Sequence, residues 1–440
     1  MRPNLPILVA SGHKNKSISS TKEPTQYRVK HIVMANGERL PLLVNAGGCP
    51  SWDATVYILS EVRARSRAVS TIDGTLRSIM LFYLFLDIYQ IEMKARIRAG
   101  RLLALSEIDG LVKMCRLPFE QARGLARLVP SPNVHELPRA GKRQKPSTSR
   151  HTGVEPAFAA TRLRSIRDFV VWLVAARLEH AAHDTPTIDA ALQSFVRAVN
   201  SRMPATYRKS QTERQGLDAS VVDSLLVIVE PSASNNPWTD EHSRARNELI
   251  IWWLLYLGLR RGELLGVRVS DIDFRSETVT IRRRADDKND PRLHQPNAKT
   301  LARKLPMAPG LIQRTREYVV AHRGSVAAAR KHDFLFVAVD SGRPLSINAF
   351  AKIFYCLQRH PLLSPELFAH LLRHTWNERF SERMDSGETP EDTEKKMRSY
   401  LMGWSETSGA AATYTRRHVR RRAGEASVAM QDKLFKGRPE

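Results

Sequence analysis

Five short segments of this chain carry, in order, the side chains that a phosphodiester exchange requires. They are Gly258-Leu259-Arg260-Arg261-Gly262-Glu263-Leu264, then Lys299, then His370-Leu371-Leu372-Arg373-His374-Thr375, then Met402-Gly403-Trp404-Ser405, and finally Ala412-Thr413-Tyr414. Moving a phosphodiester from one hydroxyl to another needs an in-line nucleophile and cations to hold the charge on the non-bridging oxygens. It also needs a group to take the attacker's proton and a group to give one to the leaving oxygen. Arginine suits the second task, because its planar fork meets two phosphate oxygens and stays protonated. Tyr414 offers the hydroxyl. Its pKa is ordinarily near ~10, and Arg416, Arg417, Arg420, Arg421 and Arg422 follow it closely, which favours the reactive anion.

His370 and Arg373 stand three apart on an expected helix and so share a face, one to move a proton and one to grip phosphate. His370 and His374 also have the spacing of a zinc pair, but Leu371 occupies the place of the glutamate such motifs carry, so no metal is expected. His374 reads instead as a structural hydrogen-bonding residue. Arg260 follows Gly258 where one helix ends and the next begins, a turn that can project a side chain into a cleft. Arg261 beside it competes for the same role.

The elements that must position these groups are mostly helical. Ile72, Leu76, Ile79, Met80, Tyr83 and Leu84 recur at helical spacing, and a second amphipathic helix is expected from about Ala160 to Leu178. The apolar run Leu249 to Leu259 reads as a buried helix, about half the length of a bilayer span, and no membrane segment is expected. Tyr27 to Met34 and Arg39 to Asn45 flank an Asn-Gly turn and predict a β-hairpin. Val279 and Ile281 alternate with polar neighbours and predict a strand, with Arg303-Lys304-Leu305-Pro306-Met307 ending its partner. Met203 to Gly216 reads as a linker. The fold class expected is therefore mainly α with a small antiparallel β-sheet.

Charge narrows the partner. The 440 residues hold 69 Lys and Arg against 45 Asp and Glu, a formal net charge of +24, while hydrophobic and charged fractions of 42% and 26% are those of an ordinary globular chain. Such a surplus favours a polyanion, and nucleic acid is the commonest. Candidate contacts to a phosphate backbone are Arg139, Lys142, Arg143 and Lys145 in a Pro/Ser-rich loop, Arg162 at the start of the second helix, and Arg208 and Lys209 in the linker. Three cysteines without CxxC spacing fit reduced thiols in the cytoplasm and suggest neither a disulfide framework nor a zinc site.

Residues 210–425 resemble the catalytic domain of the tyrosine recombinases, the phage integrase family. The segment around Arg260 resembles the family's first arginine box, and His370-Leu371-Leu372-Arg373-His374 its His-x-x-Arg-His box. Met402-Gly403-Trp404-Ser405 resembles its Leu-Gly-His-Ser segment, with Trp404 where histidine is usual, and Tyr414 falls one residue beyond the commonest nucleophile spacing. The resemblance implies that Tyr414 attacks duplex DNA to form a 3′-phosphotyrosyl link and free a 5′-hydroxyl. Arg260 and Arg373 would clamp the phosphate, His370 assist proton transfer, and Trp404 pack and hydrogen-bond through its indole N–H. The leaving oxygen would be protonated by the family's β-hairpin lysine, which Lys299 fits best, with Lys288 and Lys304 as alternatives.

Neither ATP nor another cofactor is implied. The helical region ahead of the boxes resembles the family's core-binding domain, so the expected plan is a leader and hairpin (1–48), a helical DNA-binding domain (49–205) and a catalytic domain with tail (206–440), closing as a C-shaped clamp. The likeness further implies a homotetramer on double-stranded recombination sites, accessory or further recombinase partners, a mobile-element role and a nucleoid-associated, cytoplasmic location. Rival readings are a type IB topoisomerase and a DNA-binding accessory factor without catalysis.

Overall fold

The computed structural model describes residues 27–65, 68–127, 153–178, 185–205, 216–298, 300–387, 389–405 and 423–432. The chain divides into two compact units: one holds the residues up to Lys30 and the stretch Pro41–Ala205, the other His31–Leu40 and the stretch from Thr206. The hairpin expected around Asn36-Gly37 forms, as β1 (Tyr27–Val33) against β2 (Arg39–Asn45). Its tip, His31–Leu40, belongs with the second unit.

The first unit is helical: α1 (Trp52–Tyr57), α2 (Val69–Ile88), α3 (Met93–Arg98), α4 (Leu105–Cys115), α5 (Phe119–Arg127), α6 (Pro156–Leu178) and α7 (Thr185–Ser201). A π-turn, Ile58–Arg63, continues α1. Helix α2 is long and apolar enough, by length and composition, to cross a membrane. Its apolar face is spent otherwise, since Ile72, Leu76, Ile79, Leu81, Phe82 and Phe85 are at most 1% exposed and the helix packs on α6. Phe169 of α6 meets the rings of Tyr57 and Tyr83 at centroid distances of 5.3 and 6.0 Å.

Arg162 corrects the sequence reading. It sits on the buried side of α6, 8% exposed, and its Nη1 donates to the carbonyls of Cys115 (3.0 Å) and Leu117 (2.7 Å). The Cys115 carbonyl ends α4 and that of Leu117 follows two residues on, where the last turn leaves oxygens without helical partners and with negative dipole character. The guanidinium also lies 4.6 Å from the Phe158 ring centroid. Arg162 is a helix cap inside the unit and not a phosphate contact. Arg139, Lys142, Arg143, Lys145, Arg208 and Lys209 lie outside the described residues.

The second unit comprises α8 (Ala219–Val229), α9 (Glu241–Leu257), α10 (Arg261–Gly266), α11 (Pro309–Glu317), α12 (Ile347–Gln358), α13 (Ala369–Ser386) and α14 (Glu391–Met402), with a three-stranded sheet. The sheet order is β3 (Ile272–Asp273), β4 (Thr278–Ile281), β5 (Arg303–Pro306), all antiparallel. Helix α9 starts at Asp240, whose carboxylate accepts from the backbone N–H groups of His242 (3.3 Å) and Ser243 (2.9 Å). From Leu249 onward it carries apolar residues nearly all round and is the core of the unit: Ile250, Ile251, Trp253 and Leu254 are completely buried. The Trp253 indole donates to Thr315 Oγ1 at 3.1 Å, so its polar handle is satisfied. In the sheet, Val279 faces Leu305 and Ile281 faces Arg303. The two-residue period of a strand therefore turns Arg303 to the same buried face as Leu305 and leaves Lys304 exposed on the other. A charge on that inner face must find a partner.

Candidate active site

That partner comes from the segment after α9. The helix stops at Gly258, whose φ of 60° is left-handed, and a Cβ there would lie 2.8 Å from Met402 Cε and 3.0 Å from the Trp376 ring. Leu259 and Leu264 are fully buried on either side and anchor the turn. Arg260 is extended (φ −77°, ψ 152°) and caps α10, its backbone N–H donating to Glu263 Oε2 at 2.9 Å. This is one half of a capping box, and it aims the Glu263 carboxylate back over the turn.

Glu263 is 3% exposed and is the hub of the site. Arg303 donates to both its oxygens, Nη1 to Oε1 at 3.2 Å and Nη2 to Oε2 at 3.1 Å, and the Thr300 hydroxyl donates to Oε1 as well. Arg260 Nη1 lies 3.6 Å from Oε1, and Arg373 Nη1 lies 3.8 Å from Oε2. Burial alone would push this carboxyl's pKa up. The Arg303 charge and hydrogen bonds, the Arg373 charge and the Thr300 hydroxyl outweigh it, and Glu263 is held below the usual range, ionised at neutral pH. Three guanidiniums around one carboxylate leave a surplus of positive charge at one spot, which is the electrostatic demand of a phosphate.

Arg373 projects from α13 and is 1% exposed. Its Nη1 donates to the Gly258 carbonyl at 2.5 Å and its Nη2 to the Met402 carbonyl at 3.2 Å, the last residues of α9's turn and of α14. The Trp404 ring, 9% exposed, covers its guanidinium at 5.5 Å. One side chain thus ties three of the recognised segments together. His370, one turn before Arg373 on α13, is exposed, and its ring meets that of His374 edge-on at 4.6 Å. Among the described residues no three His, Cys, Asp or Glu side chains group as metal ligands would.

The structure brings Arg260 and Arg373 onto Glu263, lays Trp404 over the Arg373 guanidinium and sets His370 on the helix of Arg373. Arg261 is exposed and makes none of these contacts, so Arg260 is the member of that pair that meets the hub. Lys299 and Tyr414 lie outside the described residues; Ala298 and Thr300, on either side of Lys299, are both buried. Lys304 is carried on the exposed face of β5, opposite Arg303. The hub itself escaped sequence reasoning. A signal existed, because glutamate three residues after a helix-starting residue is the spacing of a capping box, but nothing local showed that Arg303 would face it.

Comparison with known proteins gives one family match: the model described as the phage integrase family covers residues 216–419. No curated protein sequence matches the chain. Among solved structures, the chain is similar to the integrase of transposon Tn1549 bound to circular-intermediate DNA, at 18% identity and TM-score 0.39, covering 59% of this chain and 75% of that one. It is also similar to the XerH site-specific recombinase bound to its palindromic difH substrate, at 15% identity and TM-score 0.38, covering 74% and 85%. An integrase from mycobacterium phage Brujita shows 12% identity and TM-score 0.29 over 80% and 86%.

Proposed function

We propose that this chain, whose residues 216–419 match the phage integrase family, the tyrosine recombinases, cuts and rejoins duplex DNA at specific sites through a tyrosine ester. The observation that carries the reading is the gathering of Arg260, Arg303 and Arg373 on the buried Glu263. Segments far apart in sequence converge there on one cationic spot.

In the proposed reaction the Tyr414 hydroxyl attacks phosphorus, His370 takes its proton, and the bond from phosphorus to the 5′-oxygen breaks. Lys299 supplies the proton with which that oxygen leaves. A 3′-phosphotyrosine and a 5′-hydroxyl result, and attack by a 5′-hydroxyl of another strand reverses the step. One phosphoester replaces another, so the balance requires no ATP. Arg260, whose side chain is 30% exposed, would meet the phosphate, and Arg373, at 1%, would add its charge from within the unit. Glu263 fixes both without cancelling them. Exchange by a homotetramer on paired sites, help from accessory proteins and a role in moving a genetic element complete the reading. A cytoplasmic, nucleoid-associated location is consistent with three free cysteines, of which burial pushes the Cys115 thiol up to about 12.

A covalent trap tests this. Nicked duplexes spanning the DNA ends that flank the gene are incubated with the full chain, denatured and resolved. Wild type is expected to form a protein–DNA adduct that Tyr414→Phe does not. Tight binding without an adduct would instead establish a non-catalytic DNA-binding factor. Supercoil relaxation without strand exchange would establish a topoisomerase.

A further inference from the structure

The hairpin tip grips the loop that leads into the active site. Gly37, at φ +90°, lies so close to that loop that a Cβ would sit 2.5 Å from the Asp286 carbonyl and 2.6 Å from the Lys288 nitrogen. Arg39, 2% exposed, inserts beside it: Nη1 donates to the carbonyls of Gly37 (2.6 Å) and Asp287 (2.8 Å), and Nη2 to those of Asp290 (2.5 Å) and Arg292 (3.3 Å). Its backbone N–H donates to Asp286 Oδ1 at 3.3 Å, and the His31 ring meets the His294 ring edge-on at 4.5 Å. A buried guanidinium spread over four carbonyls, three of them from one irregular segment, fixes the path of a segment that has no ladder of its own.

That segment joins β4 to β5 and continues into the site. Arg292 donates to the Leu265 carbonyl just past Glu263 at 3.0 Å, and the Asn297 carbonyl lies where a Cβ on Gly262 would be 2.3 Å away. Thr300 then donates to Glu263 itself. We propose that the hairpin tip is a working part of the catalytic unit: Arg39 is a positioning residue that sets the loop from Asp286 to Ala298, and through it the lysine that protonates the leaving oxygen. The inference rests on the proposed strand-cleavage chemistry.

The test compares the full chain with Arg39→Ala and Arg39→Lys on two substrates, once the cleaved site is known from the trap. One carries the normal 5′-oxygen leaving group; the other carries a bridging sulfur there, which departs as a thiolate and needs no proton. The expected result is cleavage of the oxygen substrate slowed at least tenfold, cleavage of the sulfur substrate within about twofold of wild type, and unchanged DNA affinity. Arg39→Lys should not rescue, because one ammonium cannot span four carbonyls. Unchanged cleavage in the variants, or equal losses on both substrates, would overturn the proposal. If Arg39→Ala does not fold, Gly37→Ala, which pushes the tip off the loop and keeps the guanidinium, carries the same comparison. Failure of wild type itself to cleave would refute the cleavage chemistry, a different outcome from variants that cleave as wild type does.

Discussion

Replacing Glu263 by glutamine removes one charge and keeps the shape. Arg303 and Arg373, each with 1% side-chain exposure, would then stand close together without their shared carboxylate. The nearest charged atoms are 3.1 and 3.8 Å away, and at an effective dielectric of about 20 each attraction is worth roughly 4–5 kcal/mol. The desolvation of the carboxylate offsets several kcal/mol of that sum, and removing one member of a buried ionic group costs about 3–5 kcal/mol net. For a unit of this size each kcal/mol moves the melting temperature by about 2–4 °C, so the variant should melt roughly 6–20 °C lower at pH 7.

Thermal unfolding of the full chain followed by tryptophan fluorescence reads this, because Trp238, Trp252, Trp253, Trp376 and Trp404 all belong to the second unit. The pH dependence supplies the control. Glu263's folded pKa is depressed, so its contribution is fully present above its unfolded value and is lost as pH falls through the folded one. The gap between wild type and variant should therefore close in acid. A shift under about 2 °C at pH 7, or a gap unchanged down to the acid limit, would refute the hub as a net source of stability.

Other consequences separate charge from structure. Arg260→Ala should slow cleavage by about a thousandfold with little change in melting, because its side chain is 30% exposed, whereas Arg373→Ala should lose both rate and stability; paired kinetics and melting on each variant check this. Burial raises Glu248 to about 7, so its charged form destabilises the fold; Glu248→Gln should stabilise the protein at pH 8 and lose that advantage toward pH 4, read by the same melts. Arg162→Leu should lower the stability of the first unit and leave DNA affinity unchanged, while neutralising Arg139, Lys142, Arg143 and Lys145 should weaken binding and flatten its salt dependence by up to about 0.9 per lost phosphate contact. Binding titrations across a salt series distinguish the two.

Much of the fold was readable because it is written locally. Helical period placed α2 and α6, a continuous apolar run placed the second half of α9, the Asn36-Gly37 turn placed the hairpin, and alternation placed β4 against β5. The candidate residue types could also be picked out in order, since a motif such as Gly258-Leu259-Arg260 through Glu263-Leu264 spans only two turns, and its turn, cap and anchors act on one another directly. What the sequence by itself determined, then, was which elements form and which residue types stand where chemistry is possible.

Only the tertiary structure decided which charges are buried and what they face. Arg162 and Arg164 are two residues apart on one helix, yet the first is inside the unit capping α4 and the second is in water. Arg39 looks in sequence like any hairpin arginine, and its partners lie about 250 residues away. Arg303 was readable as a strand residue but not as the counter-charge of Glu263. Hydrogen bonding and side-chain period are settled within a few residues of chain. The partner of a buried charge is settled by whichever segment the completed core brings opposite, and no local pattern records that.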